Sequence, residues 1–248
     1  TDVNMDLYYV KVNSANPNAL GDSNAEDYRT AFHTKYIQGK TTGVVAKVIT
    51  STAETTDDSL TLFVKYLTQG TDTGNSFTFS SAEELQEVTV DSSGVISAVT
   101  LNKNEFSVAT ETTINIVNGR ASIANISEGI VFVRGFFVKV PAQELILEKY
   151  SGRPSYRVGI TITENTIGSA TDSSLLDNAT GTTNENAPGA DRLQMSLVLS
   201  KYSLTTTDDT NFVETMRINN GIIELEVNRP IYNEIENTLA RRTFDANG

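Results

Sequence analysis

The sequence predicts a mainly β protein, built from hairpins as one or two sandwich-like units, with an N-terminal arm and a short C-terminal helix. Three observations favour this fold. Short segments of alternating apolar residues recur between turn signals along most of the chain. The apolar share is 38% of 248 residues, while Ser, Thr, Asn and Asp are abundant, which is typical of a chain with many turns. A helical spacing of apolar residues occurs near the C-terminus.

The first 40 residues differ from the rest and are predicted to form an N-terminal arm. Residues 12–21 have a loop-like composition, and residues 25–36 are compatible with a weak helix or an extended arm. We therefore place the start of the first β domain at residue 41.

Residues 41–141 are predicted to form this first β domain. Apolar residues alternate in Val44–Ile49 and in Leu60–Leu67, which we expect to pair across the polar tract between them. Ser81–Gln86 fits a short turn of helix with a serine at its cap. Residues 88–101 are typical of a hairpin around an Asp-Ser-Ser-Gly turn.

Two later segments of the same domain are rich in apolar residues. Ile114–Val117 runs into Asn118-Gly119, a pair that favours a two-residue hairpin turn because both turn positions need positive φ. Ile130–Val140 is nearly continuous in apolar residues and includes Phe136 and Phe137. Such a run predicts a central strand covered on both faces, or a strand at a subunit contact.

Residues 142–230 are predicted to form a second β domain. Tyr156–Thr163 and Leu193–Leu199 each carry apolar residues of one parity, so each can bury one face of a sheet. Asn220-Gly221 predicts a tight turn between two further strands.

A long loop, residues 164–192, separates the first two strands of this domain and far exceeds the usual connection length. Leu175 and Leu176 form an apolar anchor in it, which predicts an ordered loop packed against something. Asp191 lies beside Arg192, and an ion pair between them would staple the loop to the next strand. The alternative, docking of the loop on a neighbouring subunit, is compatible with the same residues.

Residues 231–248 are predicted to form a C-terminal helix that leads into a further region. Ile235 and Leu239 share one face with Ile231, and the helix therefore presents an apolar stripe that needs a partner. Arg241 and Arg242 are expected late in the helix, where basic residues complement its dipole.

Composition argues against several classes of function. The formal net charge is −12, and an acidic chain repels nucleic acid and anionic membranes, because both bind through clustered Lys and Arg. There are no cysteines, so disulfides and cysteine metal sites are excluded. No apolar run approaches the ~18 residues that span a bilayer, so we expect no membrane insertion.

Three short motifs imitate functional sites. Gly39-Lys40-Thr41 resembles the end of a phosphate-binding loop, but Thr34 stands where the loop needs its first glycine. Arg134–Val140 resembles an RNA-stacking strand without the small residue between its aromatic side chains. His33 is the single histidine, and no Gly-x-Ser-x-Gly element accompanies it. We interpret all three as structural residues.

Paired acidic residues are interpreted as solvated charges. Glycoside cleavage needs two carboxyls across a cleft, and an EF-hand needs spaced ligands, and neither pattern is evident. Glu224 and Glu226 lie on the same side of a strand and point to solvent if Ile223, Leu225 and Val227 are buried. The other pairs are Glu83 and Glu84, Glu144 and Glu148, Asp57 and Asp58, and Asp208 and Asp209.

Five segments carry a family resemblance: Ala121–Ile130, Arg134–Phe137, Ser174–Ala179, Ala187–Arg192 and Thr238–Asp245. Together they resemble a poorly characterised family of bacteriophage tail and baseplate structural proteins. The similarity extends from about residue 121 to the C-terminus. It implies a place in a virus particle and no reaction, and it carries no catalytic residues.

The resemblance therefore implies a structural subunit of a phage tail, in the baseplate or at the attachment of a tail fibre, without enzyme activity or cofactor. Its partners would be other tail subunits and copies of itself, in virions assembled in the host cytoplasm. One alternative is a module that binds host-surface glycans, since nine tyrosines are available to stack on sugars. Another is a tail-associated polysaccharide hydrolase.

The candidate assembly contacts lie on the phenylalanine-rich strand, the long loop and the C-terminal helix. Each is an apolar or charged residue in an element that is expected to need a partner. These residues are Phe136, Phe137, Leu175, Leu176, Asp191, Arg192, Ile235, Leu239, Arg241 and Arg242.

Overall fold

A computed structural model describes residues 2–13, 32–74, 76–91, 96–101, 107–226 and 233–247. The fold over these residues is mainly β with one C-terminal α-helix, which confirms the predicted class. The strands are β1 Asp2–Lys11, β2 Tyr36–Gly39, β3 Val45–Thr52, β4 Thr61–Thr68, β5 Leu85–Val90, β6 Ile96–Leu101, β7 Asn118–Ile126, β8 Gly129–Val133, β9 Phe136–Val140, β10 Gln143–Glu148, β11 Tyr156–Ile167, β12 Arg192–Ser203, β13 Phe212–Asn219 and β14 Ile222–Glu226. The helices are a short 3₁₀ helix, Ser173–Leu175, and α1, Asn233–Asn247.

The chain divides into two compact units. The large-sheet unit comprises Val3–Ala124 and Ile146–Pro154, and the two-sheet unit comprises Asn125–Leu145 and Ser155–Gly248 with the first two residues. This division differs from the predicted boundaries at residues 41 and 142, because the chain returns to the large-sheet unit after leaving it.

The large-sheet unit is built on a sheet with the order β10-β7-β1-β4-β3-β2-β5-β6. Isolated bridges join Val12 to Val108 and Glu84 to Ser107. The segment at 107–109 therefore pairs both with the end of β1 and with the residue just before β5, so that β1, β4, β3, β2 and β5 form a ring with it. β10 and β6 remain the outer strands of the sheet.

Both faces of β1 are buried in this unit. Leu7 and Tyr9 lie on one side, in a cluster with Phe63. Val10 and Val12 lie on the other, within the ring and among the side chains of β2, β3 and β4. Because apolar residues are buried on both of its faces, β1 is a central strand.

The predicted N-terminal arm is therefore wrong for the described residues between 1 and 40. Residues 2–11 form β1, Phe32 is buried in the ring, and Tyr36–Gly39 forms β2. Alternation is absent from β1 because both of its faces are covered, so the pattern that indicates a half-buried strand does not arise. Most of the pattern at 25–36 lies outside the described residues.

The helical turn predicted at Ser81–Gln86 is also wrong. β5 begins at Leu85, and the Glu83 carboxylate is buried in the preceding turn. It accepts hydrogen bonds from the backbone N–H groups of Thr41 (2.9 Å) and Ser80 (2.8 Å), and from the Thr42 hydroxyl (2.8 Å). In the loop that imitates a phosphate site, the backbone N–H groups of Thr41 and Thr42 are therefore already bonded to the Glu83 carboxylate.

The hairpin turn predicted at Asn118-Gly119 is a strand instead. β7 begins at Asn118, whose side-chain amide donates to the carbonyl of Phe79 at 2.7 Å. A side chain at Gly119 would lie 2.7 Å from the Tyr9 ring. Glycine is needed here for close packing against Tyr9, not for positive φ.

The two-sheet unit contains a four-stranded sheet with the order β12-β11-β13-β14. β11 and β12 pair along their whole length, from Tyr156 opposite Ser203 to Ile167 opposite Arg192. One face of this sheet packs against the two-stranded sheet of β8 and β9, and Ile160, Ile162 and Leu197 contribute to the shared core.

Two turns in this unit have positive φ at both central residues. Asn220 (φ 48°) and Gly221 (φ 77°) join β13 to β14, which confirms the predicted turn. Arg134 (φ 49°) and Gly135 (φ 91°) join β8 to β9, so the single strand predicted at Ile130–Val140 is wrong. An arginine is an unusual residue for such a turn, and the apolar run continues on both sides of it.

Candidate assembly surface

The long loop is ordered and fastened to itself by backbone hydrogen bonds. Its strands extend further than predicted, so the loop runs over residues 168–191 and not 164–192. Leu175 is buried, and Leu176 bridges Pro188. Gly189 N–H donates to the carbonyl of Leu175 at 2.8 Å. The predicted apolar anchor therefore lies inside the loop.

The predicted staple between Asp191 and Arg192 is not seen. Both residues are exposed, and none of the ion pairs between described residues joins them. A side chain at Gly168 would meet an oxygen of Asp191 at 2.7 Å, so Asp191 lies against the start of the loop. Arg192, the first residue of β12, pairs with Ile167, the last residue of β11.

The β8–β9 hairpin exposes aromatic rings. Phe132 is 63% exposed and Phe136 is 53% exposed, whereas Phe137 is half-buried with its ring 5.1 Å from that of Phe132. Phe136 and Phe137 are predicted contacts and Phe132 is not, because a continuous apolar run predicts a single strand. The turn at Arg134 makes Phe132 and Phe137 neighbours on one face.

Helix α1 packs on β8 and β9 and leaves part of its surface free of them. Ile235 is 59% exposed and Leu239 is 56% exposed, on the face predicted for the apolar stripe. Arg241 and Arg242 are exposed and line a groove of about 420 Å³ with residues 128–130. The helix continues to Asn247, so these arginines lie more than a turn before its end and not in its last turn.

Strand β14 is an exposed apolar surface that sequence reasoning missed. It is the last strand of its sheet, and Ile222, Ile223 and Leu225 are 68%, 41% and 45% exposed. The condition that Ile223 and Leu225 are buried is therefore not met, and Val227 lies outside the described residues. β14 lies at the edge of its sheet, and both of its faces are partly exposed. Alternation along the strand does not reveal this position.

Strand β11, on the other side of β13 from β14, carries a buried arginine. Arg157 is 5% exposed, and its Nη2 lies 2.8 Å from Asp209 Oδ1 while its Nη1 donates to the carbonyl of Thr206 at 2.6 Å. Its Nε lies 2.6 Å from Glu214 Oε2. Hydrogen bonds from Arg217 first and then from Arg157 lower the pKa of Glu214 against its partial burial. All of these groups satisfy one another, as a structural network requires.

Three of the four aspartates considered for calcium, Asp58, Asp208 and Asp209, accept hydrogen bonds from the protein's own donors. Asp58 lies 3.3 Å from Lys149 and accepts from the Tyr150 hydroxyl. Partial burial favours a higher Asp58 pKa, but the hydrogen bonds from Tyr150 and Lys149 outweigh it and hold the pKa below its ordinary value. Burial and the bond to Asp58 raise the pKa of Tyr150 to about 12. Asp208 accepts from Thr210.

Among the described residues, no cluster of three or more His, Asp or Glu side chains is arranged to hold a metal ion. The described helices include none that is long and apolar enough to cross a bilayer. His33 is exposed in the turn before β2.

Fold and surface together define a mainly β protein with two units, one of which presents apolar residues on a hairpin, an edge strand and a helix. The chain belongs to the family described as a domain of unknown function, DUF4815, whose model matches residues 82–248. That range includes β5 to β14 and α1. No curated protein and no solved structure matches the chain.

Proposed function

We propose that this protein is a structural subunit of a phage tail, in the baseplate or at the attachment of a tail fibre. It acts through contacts with other tail subunits and with copies of itself, and it catalyses no reaction. The resemblance of residues 121–248 to phage tail structural proteins supports this proposal. The absence of cysteine fits assembly in the reducing host cytoplasm.

The observation that carries the proposal is the concentration of exposed apolar side chains in the two-sheet unit. Single exposed apolar residues are ordinary on a protein surface, but groups of them mark interaction sites. Here three lie on one edge strand, two lie one helical turn apart, and two are aromatic rings at a hairpin. Among the described residues of the two-sheet unit, the exposed large apolar side chains are Phe132, Phe136, Leu193, Val198, Val213, Ile222, Ile223, Leu225, Ile235 and Leu239.

The edge strand suits a further contact for a second reason. A strand at the edge of a sheet has backbone N–H and C=O groups on its outer side that can pair with another chain. Soluble proteins usually protect such an edge with charged residues. Glu224 is a charged residue of β14, but its carboxylate accepts a hydrogen bond from the side-chain amide of Asn219, in the same hairpin, at 2.8 Å. Ile222 and Leu225 stay open.

Disruption of the gene in a phage that carries it tests the proposal. We expect particles with defective tails in electron micrographs, and rescue of normal tails by the wild-type protein supplied in trans. A variant with Ile222→Ser and Leu225→Ser should fold but fail to rescue, because its edge contact is lost. Ile114→Ser, at a residue that is 96% exposed in the large-sheet unit, is the matched control and should rescue. Normal tails without the protein would refute the structural role.

A further inference from the structure

A polar groove lies beside the turn between β8 and β9, entirely within the two-sheet unit. Arg134 extends from this turn and its Nη1 lies 2.5 Å from Glu164 Oε1. Its Nη2 donates to the carbonyl of Thr210 at 3.1 Å and to Asn211 Oδ1 at 2.5 Å. Four hydrogen-bonding groups from three separate segments are thereby held in fixed positions.

The groove exists because β13 starts too late to cover the end of β11. β11 pairs with β12 as far as Ile167, but its pairing with β13 begins only at Thr161 opposite Phe212. One more backbone bond follows, from Ile162 N–H to the carbonyl of Asn211 at 2.8 Å. Beyond it, the side of β11 that faces away from β12 borders the groove.

The groove has the size and the lining of a small-ligand site. Its volume is about 400 Å³, within the roughly 300–1,000 Å³ of typical ligand pockets. The lining combines one guanidinium, two carboxylates, one carboxamide, two threonine hydroxyls and an aromatic pair. The lining residues are Arg134, Thr161, Ile162, Thr163, Glu164, Tyr202, Asp208, Asn211 and Phe212.

An aromatic surface completes the lining. Tyr202 is half-buried, and its ring packs edge-on against Phe212 with 4.5 Å between the centroids. This contact fixes the ring, so a ligand that packs on it orders no further side chain.

The charges of the lining select the class of ligand. Glu164 and Asp208 outweigh Arg134, whose guanidinium is already shared by three acceptors, so an anionic ligand meets net repulsion. A purely apolar ligand would leave the carboxylates and the hydroxyls without partners. A neutral molecule with many hydroxyl groups satisfies both the donors and the acceptors and can lay its C–H face on Tyr202.

We infer that this groove binds a neutral saccharide. The contacts are hydrogen bonds from sugar hydroxyls to Thr163, Asp208 and Asn211, with the ring of Tyr202 beneath the sugar. The inference does not depend on the structural role in a tail. The glycan measurements test saccharide binding, and the gene disruption tests the role in a tail. Either proposal can therefore fail while the other holds.

The test uses the purified full chain on an array of neutral and anionic glycans, followed by calorimetric titration with the best neutral glycan. Thr163→Val removes one exposed hydroxyl at nearly constant volume, and Asp208→Asn removes a charge but keeps the oxygen that accepts from Thr210. We expect each change to weaken binding roughly three- to tenfold, the value of one hydrogen bond. Thr166→Val is the matched control on the same strand and should leave the affinity unchanged.

Three results would overturn the inference. The first is that no neutral glycan binds on the array. The second is a preference for anionic glycans, which contradicts the charge of the lining. The third is equal affinity of the Thr163→Val and Asp208→Asn variants and the wild type, which would place the binding outside this groove. Unchanged thermal unfolding midpoints of the variants show that each is folded.

Discussion

Arg157 and Arg217 lie directly opposite each other on β11 and β13. Two like charges in a cross-strand pair are destabilising unless a counter-charge intervenes. Glu214 provides it: its Oε2 lies 2.6 Å from Arg157 Nε, and its Oε1 lies 2.7 Å from Arg217 Nε. The bulge between Val158 and Gly159 shifts the register, so that Glu214 faces Gly159 and its carboxylate reaches both arginines.

The first prediction concerns the unequal burial of these two arginines. The side chain of Arg157 is 6% exposed and that of Arg217 is 41% exposed. Arg157→Met removes a buried guanidinium that bonds to Glu214, to the half-exposed Asp209 and to the carbonyl of Thr206. Arg217→Met removes an exposed guanidinium and leaves Glu214 still bound to Arg157. We expect the fall in the thermal unfolding midpoint to be roughly twice as large or more for Arg157→Met. Equal falls, measured by circular dichroism, would contradict the importance of burial.

The second prediction concerns acid stability. Bonds from Arg217 and Arg157 lower the pKa of Glu214 below its ordinary value of 4.5, so the folded state releases this proton more readily than the unfolded state. The stabilisation is complete above pH 4.5 and is lost as the pH falls through the folded-state pKa. Glu214→Gln should therefore lower the unfolding midpoint at pH 7 and flatten its decline below pH 4.5.

The control for this measurement is Glu236→Gln, at an exposed position on α1. It should leave the pH profile as it is in the wild type. Asp58, Asp72, Asp172 and Asp208 also have lowered pKa values, so part of the acid decline will remain in Glu214→Gln. A profile of Glu214→Gln that is parallel to the wild type at every pH would refute the assignment.

Much of the fold follows from local patterns in the sequence. The pairing of β3 with β4 and the positions of β11 and β12 follow from apolar residues of one parity, because each strand has one buried face. The same pattern does not predict β1, because its two faces are buried in different clusters. The turn between β8 and β9 is not predicted either, because Arg134 adopts a positive φ that arginine does not favour.

The candidate surface is less predictable than the fold. The stripe of Ile235 and Leu239 follows from helical spacing and lies where it was expected. The exposure of Ile223 and Leu225 depends on the order of strands in the sheet, which no local pattern specifies. The contacts of Arg134 with Thr210 and Asn211 join residues more than 70 positions apart and depend on where β13 begins.

The third prediction concerns the close approach of strands at Gly159. A side chain there would lie 2.1 Å from the carbonyl oxygen of Val213 and 2.8 Å from the ring of Phe212. Gly159→Ala should therefore push β13 away from β11 and destabilise the protein by about 1–3 kcal/mol, as overpacking of a core does. Urea unfolding followed by circular dichroism measures the change.

Gly129→Ala is the matched control for the same substitution in a strand. A side chain at Gly129 meets no heavy atom within 4 Å, so we expect a change within about 0.5 kcal/mol. Equal stability of the Gly159→Ala variant and the wild type would mean that the bulge relaxes without cost.

The fourth prediction separates assembly from folding. Ile235 and Leu239 are more than half exposed, so replacing both with serine removes little that is buried within the chain and should change stability by no more than about 0.5 kcal/mol per site. If copies of the protein associate through the helix, the double variant should sediment more slowly than the wild type at equal concentration. Ile114→Ser with Ile116→Ser, at exposed positions of the large-sheet unit, is the control and should sediment as the wild type does. Slower sedimentation of the control alone would place self-association in the other unit and remove the helix from the assembly surface.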